Sequence, residues 1–319
     1  MSAAFAPAPR PTRREKPASS SELERLGLRH DRVAFGLAGI GGAWGPVDQG
    51  IARETLRHAL DLGIRAFDAA PAYGTAEKLL GEALAAWRGE CPVISTKVGR
   101  LPASDGHEIK FDFSDESMRA SLERSLATLG IPRVDLIFLH EPEFVPPSER
   151  ARVVAAMRQM RADDLVSRIG IAGGHGAGWD GYVETGAFEV VMLFRRLDAA
   201  IFDGVAEDVP RLRRADIAIY GASPLHMGLL GSRHDEFVNV RRDWVWTAPI
   251  ERAIRLRVLA EKSGMSLAML AHRFIFSVAE IDRVVIGARS PEELDDAWNA
   301  WQAGPLSPEL FDAVCEAHR

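Results

Sequence analysis

Cysteine is almost missing from this chain of 319 residues: Cys91 and Cys315 stand far apart and in no metal-ligating spacing. That argues against a disulfide-stapled scaffold and points to a reducing compartment, and no bound metal is expected. No apolar run approaches the roughly 18–20 residues of a membrane span. Positive charge is not in excess either. With 39 Lys and Arg against 45 Asp and Glu, the formal charge is −6, so no global field would draw in nucleic acid. The opening MSAAFAPAPRPTRREKPASSS lacks the apolar core of about 7–15 residues that a secretory signal needs. Its prolines oppose the amphipathic helix of an organelle transit peptide. These absences predict a soluble, cytoplasmic protein with a mobile tail over 1–20 and a single domain over 21–319.

From Val33 onward, short apolar runs alternate with helix-period segments, the pattern of βα units around a parallel sheet. The strand candidates are VAFGLAGI (33–40), IRAFD (64–68), PVISTK (92–97), VDLIFLH (134–140), RIGIA (168–172), FEVVML (188–193), DIAIYG (216–221) and RVVIGA (283–288). Several are apolar almost throughout, as strands covered on both faces must be. Between them, SDESMRASLERSLATLG places Met118, Leu122, Leu126 and Leu129 at helical spacing, with Ser114 to cap and Gly130 to stop. SPEELDDAWNAW opens with a capping serine and a proline at the first helical position.

Eight strands with intervening helices predict an α/β fold, a (β/α)8 TIM barrel with a C-terminal helix. The competing doubly wound sheet would want a G-x-G-x-x-G turn opening the first helix, with an acidic residue about 20 positions on. The glycines of GLAGIGGAWG instead close a strand and lead into a loop, and read as a tight turn or a site of close ligand approach.

In such a barrel, chemistry sits at the C-terminal ends of the strands. Asp68 ends the second strand, Lys97 the third and His140 the fourth, while Tyr73 lies in the loop after the second. Any one of them alone reads as structural; their shared rim does not. Moving a proton on or off oxygen during hydride transfer needs a weak acid near neutral pH. A phenol of pKa near 10 serves only if its anion is stabilised. A Lys ammonium lowers that pKa, a carboxylate keeps the Lys charged, and a His positions the oxygen. The hydride source is then a nicotinamide.

These residues carry a resemblance. GIRAFDAAPAYGTAEKLLGEAL (63–84), VISTKVGRL (93–101), RVDLIFLHEPE (133–143), SPLHMGLL (223–230) and VVIGARSPEEL (284–294) are similar to the aldo-keto reductases, most of all to their aldose-dehydrogenase branch. The resemblance implies an NAD(P)-dependent oxidoreductase for an aldehyde, ketone, lactol or sugar hydroxyl. It makes Tyr73 the proton donor or acceptor, tuned by Lys97 and Asp68, with His140 orienting the substrate oxygen.

It also implies where the dinucleotide lies, and there the chain departs from the family. A Ser-Asn pair that often grips the carboxamide after the fifth strand is replaced by Ala172, Gly173 and Gly174, with His175 next. Met192 stands where a Gln is common, and Gly221 or Ala222 where an aromatic stacks on the nicotinamide. Ser223, Pro224 and Leu225 form the turn after the seventh strand. At the adenine end, Gly287 allows close backbone approach, and Ser290 opens a helix whose amides form an anion site. Arg289 suits a 2′-phosphate or the adenine face, whereas the carboxylate of Glu293 suits a ribose hydroxyl. The balance leans slightly to NAD over NADP. Trp44 is expected over the mouth against a small-molecule substrate, and SRHDEFVNVRRDWVWTAP (232–249) as a loop above it. Arg195 and Arg196 either meet an anionic group or form rim salt bridges. The alternative function is a binding or regulatory protein on the same scaffold, with nicotinamide positioning impaired.

Overall fold

The computed structural model describes residues 10–15, 21–28, 31–102, 110–174, 179, 181–240 and 247–318. The strands are β1 Val33–Gly36, β2 Ala66–Asp68, β3 Val93–Val98, β4 Arg100–Leu101, β5 Lys110–Phe111 and β6 Val134–His140. They continue with β7 Val166–Gly173, β8 Val190–Phe194, β9 Ala218–Ala222 and β10 Arg283–Gly287. Eight of these close into a parallel barrel in the order β1-β10-β9-β8-β7-β6-β3-β2, and β4 with β5 forms a separate antiparallel hairpin.

The barrel interior is filled by residues of unequal size. Ala34, Ala66, Ala172 and Ala218 leave room for Phe138, Tyr220 and Met192, all buried in one cluster. Phe138 and Tyr220 meet edge to face at 6.0 Å. Leu23, Leu26 and Leu28, on and after α1 (Ser21–Arg25), join this cluster from the end opposite the catalytic rim. Arg283 helps close that end, donating to Tyr220 Oη at 2.7 Å and to the Leu28 carbonyl at 2.6 Å.

The helices pack outside through apolar stripes. They are α2 Ala38–Gly41, α3 Gln49–Asp61, α4 Ala76–Ala86, α5 Asp115–Leu129, α6 Arg150–Ala162, α7 Gly204–Glu207 and α8 Val209–Arg214. The remainder are α9 His234–Asn239, α10 Thr247–Lys262, α11 Leu267–Ser277, α12 Pro291–Gln302 and α13 Pro308–Glu316. Ser114 caps α5 by accepting from the Ser117 amide, and Gly130 ends it at φ 69°. The C-terminal α13 is held by Phe311, which stacks on Phe274 of α11 at 5.2 Å.

Two expectations need correction. The first strand stops at Gly36 rather than Ile40, because residues 38–41 wind into the short α2. A side chain at Gly39 would come within 2.7 Å of the Ala288 carbonyl, so the chain there is crowded between its neighbours. The tail also differs over residues 10–15. Thr12 donates to Glu280, Arg14 donates from its amide to the Ser277 carbonyl at 2.7 Å, and Arg13 bridges Val278. Carbonyls at the C-terminal end of α11 and in the turn before β10 give this segment a place to pair. No described helix is long and apolar enough to cross a membrane.

Candidate active site

Parallel pairing brings four strand ends to the same end of the barrel. Gly36 lies beside Asp68, Asp68 beside Ser95, Lys97 beside Phe138, and His140 beside Ala172. All the strands point the same way, so Asp68, Lys97 and His140 reach the same rim. They are 4%, 1% and 5% exposed, which means that their charges must be settled locally.

The Lys97 ammonium donates to Asp68 Oδ2 at 2.5 Å and to the Ala69 carbonyl at 2.9 Å. Ser95 donates to the other carboxylate oxygen at 2.8 Å. Burial pulls the Lys97 pKa down, but Asp68 and Tyr73 outweigh it and hold the ammonium above its ordinary value. Lys97 Nζ also lies 4.8 Å from the centre of the Tyr73 ring. His140 sets its ring perpendicular to that of Tyr73, with centroids 5.7 Å apart. Burial first, and then the Lys97 and Arg100 charges, drive the His140 pKa well below its usual range, leaving a neutral imidazole. Its Nδ1 is buried without a hydrogen-bond partner.

The phenol itself brings a correction. Lys97 does pull the Tyr73 pKa down, but burial outweighs it, and the net direction is upward. Tyr73 is therefore a protonated group across the neutral range.

The glycine run explains how Tyr73 is placed. A side chain at Gly41 would lie 2.1 Å from the Tyr73 carbonyl, and one at Gly74 would lie 2.3 Å from the Gly41 carbonyl. Thr75 donates its amide to Gly41 at 3.0 Å, and Gly74 takes φ 59°. Gly41 and Gly74 thus serve a backbone-to-backbone approach, while Gly42, at φ 90°, ends α2 in the tight turn expected of this run.

The residues expected around the dinucleotide spread along the same face. Met192 is buried in the barrel interior. Ser223 turns the chain at φ 65°, its Oγ accepting from the Met227 amide, with Pro224 and Leu225 following. Gly287 is exposed, with open space where a side chain would begin. Ser290 caps α12, and the Glu293 carboxylate accepts from the Arg289 amide at 2.9 Å, so helix capping already occupies both. The Arg289 guanidinium reaches back to the Pro46 carbonyl at 2.9 Å. Trp44 stands 45% exposed in the loop after α2. Arg196 forms the rim salt bridges, to Asp208 at 3.0 Å and to Glu207. His175 and the tryptophans of 232–249 lie outside the described residues; within that segment the structure describes α9.

Three residues of this site were not singled out from the sequence. Ser95 buttresses Asp68. Arg100, on β4, pairs with Glu141 at 3.3 Å and adds positive potential at both Tyr73 and His140. Glu143 fills the space beside Gly173, where a built side chain would come 2.6 Å from its Oε2. That oxygen is buried and unpartnered, while Oε1 accepts weakly from the Gly174 amide at 3.4 Å.

Comparison with known proteins adds to this geometry. Residues 32–319 match the family model described as aldo/keto reductase family. The L-galactose dehydrogenase of Arabidopsis thaliana is 28% identical over 288 residues, covering 86% of this chain and 85% of the relative. The D-threo-aldose 1-dehydrogenase of a Pseudomonas species is 27% identical over 295 residues, covering 84% and 88%. Among solved structures, an aldo-keto reductase from Bacillus halodurans superposes with a TM-score of 0.76 at 19% identity, covering 97% of both chains, a likeness of fold.

Proposed function

The chain belongs to the aldo-keto reductase family, and from that premise we propose that Tyr73 is the general acid–base of its hydride-transfer reaction. The family makes it an NAD(P)-dependent oxidoreductase. The observation that carries the assignment of residues is the buried Asp68–Lys97 pair set against the Tyr73 ring, with a neutral His140 across it. In the reductive direction the phenol gives its proton to the carbonyl oxygen as the alkoxide forms. Lys97 stabilises the phenolate left behind, and Asp68 keeps Lys97 charged and in place. His140, neutral and perpendicular to the phenol, orients the substrate oxygen by a hydrogen bond. In the oxidative direction the same groups act in reverse.

The described residues fit a dinucleotide. Gly287 leaves an open cradle at the end of β10, and Glu143 Oε2 is an orphaned buried acceptor beside the end of β7. When bound, the nicotinamide supplies or takes the hydride. Glu143 is the acceptor offered to a carboxamide NH2 in the space left by Gly173. At the other end, Glu293 places a carboxylate on the α12 N-terminus, and Arg289 is engaged by Pro46. Both disfavour a 2′-phosphate, and the reading is NAD over NADP. The relatives named for aldoses support an aldose or a related aldehyde as substrate class.

Titrating the protein with NADH and NADPH while following tryptophan emission tests the cofactor, and NADH should bind at least tenfold more tightly. Tyr73→Phe should then lower kcat by about 10²–10⁴-fold while leaving NADH affinity within about threefold. Unchanged turnover in that variant would remove Tyr73 from the reaction.

A further inference from the structure

The catalytic face carries several cations, and most are neutralised close by. Lys97 has Asp68, Arg100 has Glu141, Arg196 has Asp208 and Glu207, and Arg233 has Glu236. Arg195 is different. It directly follows β8, at the same end of the barrel as the tetrad, and is only half-buried. Its Nε is buried with no hydrogen-bond partner, and no described carboxylate pairs with it. Asp198 is the carboxylate whose charge it feels, but that group is already engaged. One Asp198 oxygen accepts from the Ala200 and Ile201 amides at 2.8 and 3.0 Å, and the other meets His226 Nδ1 at 2.9 Å.

The surroundings hold the guanidinium at the mouth. It lies 5.1 Å over the ring of Phe194, which packs on the barrel-interior cluster. Its backbone is held at φ 54°, in the left-handed region that bulky residues rarely adopt, with its amide donating to the Ala222 carbonyl at 3.3 Å. Removing a guanidinium from water is costly unless an anion compensates, and its planar fork suits a carboxylate or phosphate. β8 is separated from β6, which carries His140, by β7 alone, so the two strands stand about 10 Å apart. A small carbonyl compound bearing an anionic group spans that distance.

We propose that Arg195 is an anion-recognition group of the barrel mouth, taking a phosphate or carboxylate on the substrate or the diphosphate of the dinucleotide. The proposal rests on the oxidoreductase reading for the identity of these ligands, though not for the site itself.

The test compares wild type with Arg195→Met and Arg195→Lys in three measurements. The first is the ratio of kcat/KM for glyceraldehyde 3-phosphate to that for glyceraldehyde. The second is NADH affinity from tryptophan quenching. The third is calorimetric binding of glycerol 3-phosphate with NADH present, which needs no turnover. If Arg195 takes the substrate anion, wild type prefers the phosphorylated aldehyde at least tenfold and binds glycerol 3-phosphate. Arg195→Met loses both, and Arg195→Lys recovers part. If it takes the diphosphate, Arg195→Met weakens NADH at least tenfold while the ratio stays put. Unchanged affinities and an unchanged ratio overturn the proposal. Absence of turnover with either aldehyde overturns the aldose or aldehyde substrate reading instead, and the two binding measurements then still decide the role of Arg195.

Discussion

At the scale of single residues, the site is governed by what burial does to charge. Asp68 and Lys97 sit almost wholly out of water and are tolerable only as a pair. Asp68→Ala should therefore cost about 3–5 kcal/mol in urea unfolding, since it strands a buried ammonium. Adding Lys97→Met to that variant should recover much of the loss, and a double variant as unstable as the single one would show the pair is not coupled. Tyr73 makes a kinetic statement. Its pKa is raised, so the donor form dominates at neutral pH and the base form is scarce. Alcohol oxidation should accelerate with pH, continuing past pH 10, while carbonyl reduction stays flat through the neutral range. An oxidation rate that levels off near pH 7 would mean that Lys97 wins over burial once ligands are bound.

At the scale of elements, the rim is positioned by loops packed backbone against backbone. The α2 turn and the loop carrying Tyr73 touch through Gly41 and Gly74, with no room for a methyl group. Gly41→Ala should leave the barrel folded, at a cost of about 1–3 kcal/mol from overpacking. It should lower kcat about 10²-fold by displacing Tyr73, since misplacement of about 1 Å has that effect. A variant with full activity would show that the Tyr73 loop is free to adjust. The elements themselves were readable because their signals are local: apolar runs for β6 and β10, Ser114 and Gly130 for α5, Ser-Pro for α12. So was the rim, since parallel strands ending in Asp68, Lys97 and His140 must bring those ends together. What escaped was whatever depends on cross-chain contact. The partner of Gly41 is 32 residues away at Tyr73, Arg100 acts from a hairpin with no periodic signature, and Glu143 enters a space opened by Gly173. Glu293 was local enough to read: Ser290 and Glu293 stand at capping-box spacing, and the carboxylate accepts from the Arg289 amide four residues back.

At the scale of the whole molecule, buried histidines set a lower limit on pH. Burial holds His272 of α11 and His318 near pKa 4, and lowers His140 in the same direction. Above pH 6.5 neither the folded nor the unfolded chain protonates such a group. Below it the unfolded chain takes the proton first, so stability falls by about 1.4 kcal/mol per pH unit for each group until its folded pKa is reached. His272→Phe should flatten the slope of unfolding free energy against pH by about that amount between pH 6.5 and 4.5. An unaltered slope would mean that His272 is protonated in the fold. The closed ring of strands also reaches beyond thermodynamics. Val33 pairs with Val284 some 250 residues later, and residues 12–14 dock on the stretch just before it. A ribosome adding about 5–20 residues per second leaves β1 without that partner for roughly 12–50 s. During synthesis this protein is an open sheet with two bare edges, and nascent copies should be clients of chaperones until the last strand emerges.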